Sequence, residues 1–194
     1  MNDPLDPPSP PPQPPPPRVD PATSQGAYAT GLAVLHTRDE FMLDFIAGFA
    51  SPPQVVGRIV ATPAHLKRML KALLDNFGRY EKTFGAIPAQ PENTRAKAGQ
   101  VSELYAKLQI VDTVLGGAYS NVMSVMHTRD EFIMDFLTNF LPASKVTSRI
   151  VVNPTHLRRI ISVLGDNLSQ FEDKFGKIDD GAPPSEPRAM FSLN

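Results

Sequence analysis

The chain contains no cysteine, which excludes disulfides, thiolate-held zinc, iron–sulfur clusters and thiol catalysis. No apolar run approaches the ~18–20 residues that cross a bilayer. Charge of one sign is not in excess either: 19 Lys and Arg stand against 20 Asp and Glu, a formal net charge of -1. That balance argues against a protein held to nucleic acid by its net charge. The first 17 residues lack both the basic start and the apolar stretch of a secretory signal, so a cytoplasmic location is expected. A glycine-rich phosphate loop, a nucleophile elbow and a helix-borne HExxH are missing too. No enzyme activity and no cofactor are expected.

Proline, by contrast, is abundant. Of 21 prolines, 11 precede Gly26, and this composition predicts a disordered head over residues 1–25 that favours polyproline II. It reads as a solvated spacer or as a ligand for an SH3-like partner. The tail over 179–194, with Pro183, Pro184 and Pro187, is expected to be disordered as well.

Between these ends the sequence repeats itself. The segment from Gly26 to Gly85 aligns without a gap on Gly117 to Gly176, with roughly 27 of 60 positions identical. The expected organisation is a first repeat over 26–88, a linker over 89–116 and a second repeat over 117–178. In the linker, Val101, Leu104, Tyr105 and Leu108 have helical spacing from a cap near Asn93 or Thr94, and Ile110 to Leu115 reads as a strand or an extended lead-in.

Each repeat reads as three strands and a helix. Leu32 to His36 is short and apolar, followed by the polar HTRDE turn. Phe41, Leu43, Phe45 and Phe49 share one parity, as do Phe132, Met134, Phe136 and Phe140, which predicts a half-buried strand with an aromatic stripe. Val55 to Ala61 forms the third strand. Thr62 and Asn153 are N-cap residues followed by Pro63 and Pro154 at the first helical position. From there Leu66, Met69, Leu70, Leu73, Phe77, Tyr80 and Phe84 recur at spacings of three and four. Leu157, Ile160, Ile161, Leu164, Leu168, Phe171 and Phe175 do the same, and Gly85 and Gly176 end the two helices. The predicted class is α+β: two antiparallel β-β-β-α units, each helix lying on the Phe face of its own sheet. A unit of ~60 residues is marginal alone, so the units are expected to pack as a pseudo-dimer. The contact is expected through the opposite strand parity: Met42, Ile46, Val56 and Val60 with Ile133, Leu137 and Val151.

Chemistry-bearing residues also come in pairs. His36-Thr37-Arg38-Asp39 and His127-Thr128-Arg129-Asp130 form the longest identical polar patch, either a binding tip shown twice or good turn chemistry. His65, Lys67 and Arg68, with His156, Arg158 and Arg159, form a second candidate site at the helix starts. They read as a solvated face, as a weak nucleic-acid patch or, for the histidines, as metal ligands, although no compact ligand spacing completes a set. Asp44 faces Arg58 across a hairpin centred near Ser51, and Asp135 faces Arg149, as cross-strand ion pairs contributing ~0.2–1 kcal/mol each.

HTRDEFMLDF (His36 to Phe45) and RIVATPAHLKR (Arg58 to Arg68) occur in order, and again as HTRDEFIMDF (His127 to Phe136) and RIVVNPTHLRR (Arg149 to Arg159). They resemble the bacterial domain of unknown function 3467 family, which pairs an H-[TS]-x-x-E-F-x-[LV]-D-F strand with an R-[IV]-[IV]-x-[ST]-P-x-H-x-K-R helix start. Met134, Asn153 and Arg158 are mild departures. The resemblance covers both repeats and implies no activity; since usual members hold one copy, it implies a fused pair in place of a homodimer. At fold level alone, the meander with a long helix is similar to the export chaperone SecB. The expected function is therefore a non-enzymatic protein-binding or assembly module with an unidentified protein partner, nucleic acid not being expected. The alternatives are a SecB-like holdase for unfolded clients and a metal- or nucleic-acid-binding protein. A higher homo-oligomer is compatible with either of the first two.

Overall fold

A computed structural model describes residues 15–88, 101–140, 143–179 and 181. The fold is mixed α+β, with two sheets and two long helices among the described residues. The chain opens with three short pieces, β1 (Arg18–Val19), α1 (Pro21–Ser24) and β2 (Ala27–Tyr28). The meander β3 (Gly31–His36), β4 (Phe41–Ala47) and β5 (Gln54–Ala61) leads into helix α2 (Pro63–Phe84). After the linker come α3 (Val101–Tyr105), β6 (Gln109–Ile110), α4 (Asp112–Leu115) and β7 (Ala118–Tyr119). A second meander, β8 (Val122–His127), β9 (Phe132–Phe140) and β10 (Ala143–Val152), ends in helix α5 (Pro154–Phe175).

Local chemistry explains the elements. Strands alternate side chains between faces, and Phe41, Leu43, Phe45, Phe132, Met134 and Phe136 are all buried on one. Burying each such Phe contributes about 1.5–3 kcal/mol. Thr62 Oγ1 and Asn153 Oδ1 accept from the amides of His65 and His156, and proline follows each cap. The predicted helix faces are the buried ones, with Phe84 partly exposed.

Three expectations are corrected. First, the aromatic stripe ends at Phe45 and Phe136. A bulge at Val56 and Thr147 shifts the register there. Phe49 then lies in the hairpin turn, 70% exposed, and Phe140 at the overhanging strand end, 57% exposed. Second, the helices do not lie on their own sheets. The α2 rings of Phe77 and Tyr80 pack on Phe132 of β9, at 6.3 and 5.1 Å, and Phe171 of α5 packs on Phe41 of β4 at 5.0 Å. The two Phe faces meet each other, with Phe45 and Phe136 5.5 Å apart. The halves therefore share one core through the stripe itself, not through the opposite parity. Two helices with the same apolar pattern fit two sheets with the same Phe parity in either pairing, so the pattern alone does not choose between them.

Third, order begins well before Gly26. β1 and β2 run parallel along β10, and β6 and β7 run parallel along β5. Each lead-in segment thus pairs with the sheet of the other half. The crossing takes one peptide: the Ala29 amide donates to Val151 O at 2.9 Å, and the next amide, Thr30, donates to Ile46 O at 2.8 Å. Ser120 and Asn121 repeat this onto Val60 O and Leu137 O. In place of a strand over Ile110 to Leu115 there is a two-residue strand and then a helical turn. The opposite parity is covered in part by these arms: Ile46 and Leu137 are buried, while Met42, Val56, Val60, Ile133 and Val151 are half-buried. Asn93, Thr94 and most of the head and tail lie outside the described residues.

Candidate functional site

Both HTRDE turns are closed by the same bonds. Thr37 Oγ1 accepts from the amides of Asp39 and Glu40 and donates to Glu40 Oε2 at 3.0 Å, and Thr128 does the same for Asp130 and Glu131. His36 does not project from the tip; its ring packs against Phe41, Phe171 and Phe175. His127 packs on Phe132, Tyr80 and Phe84. Tyr80 also donates its hydroxyl to Arg129 O at 2.7 Å. The tips are thus tied down by the helix ends of the other half, while Arg38, Asp39, Arg129 and Asp130 stay exposed.

The helix starts are equally engaged. Lys67 Nζ donates to Glu172 Oε1 at 3.0 Å and to Ile178 O at 2.9 Å, and Arg158 donates to Ile87 O. Each helix start therefore holds the chain that leaves the other helix. Hydrogen bonds from Lys177, then Lys67 and the Ile178 amide, hold the Glu172 carboxyl down at about 2. His65 is buried; its Nε2 lies 3.5 Å from Ser120 Oγ and, among the described residues, its Nδ1 has no hydrogen-bond partner. Burial, and secondarily Arg68, lowers its pKa to about 4. His156, half-buried and meeting the edge of Tyr28, is lowered for the same reasons, with Arg159 in the second role. Among the described residues no three His, Asp or Glu side chains gather as a metal-binding group.

The Asp–Arg pairs stand opposite each other as the hairpin register requires. They are not surface pairs. Arg58 grips Asp44 with Nε at 2.7 Å and Nη2 at 2.8 Å, and its Nη1 donates to Leu115 O at 3.0 Å. Arg149 grips Asp135 at the same distances and donates to Ser24 O at 3.1 Å. The guanidinium of each sheet thus latches the lead-in arm contributed by the other half. Gly117 and Gly26 lie over the Arg58 and Arg149 stems at φ +70, where a Cβ would come within 3.1 Å of Cγ. Both the left-handed backbone and the close approach require glycine. Between the arms is an open cavity of about 310 Å³ that takes equivalent positions from both halves, among them Gly26, Gly57, Arg58, Gly117, Ser148 and Arg149. Both guanidiniums that reach it are already engaged by carboxylate and carbonyl.

Sequence reasoning missed the outer rim. Tyr28 and Phe49 pair at 6.3 Å, and Tyr119 and Phe140 stack at 6.1 Å. These four rings hold equivalent places in the two repeats and are 39–70% exposed. The signal was Phe49 and Phe140 themselves, once the strand is seen to end before them.

No curated protein matches the chain. A family model does match, over residues 1–89 and again over 89–180. Those two spans carry both HTRDE turns, both latches and both lead-in arms, and the chain belongs to the family described as protein of unknown function DUF3467, in tandem duplicate.

Proposed function

We propose that the protein is a non-enzymatic protein-binding or assembly module, a pseudo-dimer of two β-β-β-α units that exchange helices and lead-in arms. The observation that carries this reading is the pair of exposed aromatic couples, Tyr28–Phe49 and Tyr119–Phe140, at equivalent ends of the two halves. Aromatic rings bring large contact areas at small entropic cost and dominate interface energetics. Leaving Phe49 and Phe140 in water forgoes most of the ~1.5–3 kcal/mol that burying each would contribute. Each touches one tyrosine of a lead-in arm and keeps more than half of its surface open. Two equivalent patches suit a partner with two matching sites, where the second contact forms at high effective concentration. Thr37, Glu40, Thr128 and Glu131 at the turns, Lys67 and Arg158 at the helix starts and both Asp–Arg latches are engaged in structure, which fits a scaffold better than a catalyst. The arms cover part of the second sheet face, which reduces the open apolar surface that a holdase needs.

The test is affinity capture from a bacterial lysate with the parent and with a Phe49→Ser, Phe140→Ser variant side by side. Because both rings are exposed, the variant should melt with the parent. At least one protein held by the parent should be lost by the double variant and weakened by each single one. Identical captures from parent and double variant would remove the proposal.

A further inference from the structure

The two latches differ in one hydrogen bond. In the first half the Tyr105 hydroxyl donates to Asp44 Oδ2, the oxygen that also accepts from Arg58 Nη2. Asp44 is fully buried, and the Arg58 side chain is 10% exposed. In the second half Asp135 accepts from Arg149 Nε and Nη2 and from no hydroxyl among the described residues. The residue aligned with Tyr105 is Pro14, which has no donor to offer. The Asp135 side chain is still nine-tenths buried, but Arg149 is opened to 24%.

A carboxylate has about four acceptor positions, and a buried one left short of donors is costly. Asp44 fills three and Asp135 two. Among the described residues the chain thus displays one site with a hydroxyl donor and a copy of it without one, and the first shows what fits. What fits is a phenol reaching in as Tyr105 does from the linker, its hydroxyl donating to the carboxylate oxygen that also accepts from the guanidinium.

We propose that Asp135 and Arg149 form a docking site for a tyrosine side chain carried by a partner protein, with Tyr105 on Asp44 as the intramolecular template. This rests on the protein-binding reading and names the chemistry of one contact within it. Burial, and then the bond to Asp44, keep the Tyr105 phenol protonated well above its ordinary range, so the guest likewise acts as a neutral donor. A phosphorylated tyrosine would set a second anion against a buried carboxylate and be rejected.

The probe is the free peptide Val-Ser-Glu-Leu-Tyr-Ala-Lys, the chain's own residues 101–107, titrated into the full-length protein and followed through the Arg149 Nε–H and Asp135 amide resonances. Saturable shifts confined to these signals are expected. Affinity should fall about ten- to hundredfold when the peptide tyrosine is replaced by phenylalanine, as for loss of a hydrogen bond to a charged group. The phosphotyrosine peptide should not bind. In a Tyr105→Ala protein, where the side chain on Asp44 is removed, the Arg58 Nε–H signal should begin to respond as well. Equal binding of the tyrosine and phenylalanine peptides, or no shift at Arg149, would overturn the proposal. These peptide comparisons use the unmodified protein, so they stand even if an Asp135 variant does not fold. The Phe49→Ser, Phe140→Ser variant should bind the peptide normally. A peptide that fails to bind while that variant still loses lysate partners would sink this site and leave the broader reading intact.

Discussion

The two halves follow the same path and differ in how completely they satisfy their buried polar groups. The arm of residues 109–119 brings Ser120 to within 3.5 Å of the His65 imidazole, and the linker before it brings Tyr105 to Asp44. The arm of residues 18–28 has Ala29 and, ahead of it, Pro14 at the aligned positions. Among the described residues the His156 ring accordingly meets the edge of Tyr28 with no hydrogen-bond partner for its Nδ1, and the Asp135 carboxylate accepts hydrogen bonds from its arginine alone. Geometry is held in common, since Gly26 matches Gly117 and Arg58 matches Arg149. What diverges is the second layer of partners. The lesson is that a duplicated latch keeps working with its outer bond missing, because the bidentate pair and the arm carbonyl already position the guanidinium.

The comparison breaks most sharply at the carboxylates. Asp44→Ala leaves Arg58 buried without its counter-ion and should cost about 3–5 kcal/mol. Asp135→Ala, with Arg149 closer to water, should cost clearly less, about 1–3 kcal/mol. Denaturant midpoints of the two variants decide this, and equal losses would mean that Tyr105 adds no enclosure.

The histidines sharpen it next. His65 is lowered to about 4 by burial, whereas in the unfolded chain it titrates near 6.5. Between these values the unfolded state binds the proton that the folded state refuses. Stability is therefore full above about pH 6.5 and falls as pH drops toward 4, by up to about 3 kcal/mol from this group. Urea midpoints at pH 7 and 4.5 should lose less of that slope in His156→Gln than in His65→Gln, because His156 is half-buried. Matching slopes for the two variants would show the two sites to be equivalent.

The smallest effect lies where β5 and β10 approach each other. Gly57 aligns with Ser148, and a Cβ at Gly57 would come within 2.6 Å of Ile150 Cδ1. The obstacle is the end of a flexible side chain, so Gly57→Ala should cost only about 1 kcal/mol. Ser148→Gly should be within about 1 kcal/mol of the parent, from backbone entropy alone. A thermal melt resolves both, and a stabilised Gly57→Ala would show that Ile150 has room to turn aside.

Much of this was legible in the residues. The Phe parity, the Thr62-Pro63 and Asn153-Pro154 helix starts and the 44–58 and 135–149 registers follow from period and turn chemistry, which are local. The exchange was not legible. Phe77 and Tyr80 reveal that α2 has an apolar face but not which of two matching sheets receives it. The lead-in arm was hidden for another reason. Arg18–Val19 and Ala27–Tyr28 are too short to show a period, and they adjoin a proline run that points to disorder. The aromatic rim went unseen because a bulge at Val56 and Thr147 leaves no mark in composition.

The one-peptide crossing at Ala29–Thr30 and its partner at Ser120–Asn121 also set an order of events during synthesis. When β5 leaves the ribosome its outer edge has nothing to pair with until residues 109–119 follow, roughly sixty residues and about 3–12 s later. Helix α2 waits longer still, for β8 and β9. The amino-terminal half therefore emerges as an unclosed template, and the carboxy-terminal half completes both itself and its predecessor. A nascent chain halted near residue 100 would hold every strand of the first meander and still have no finished sheet.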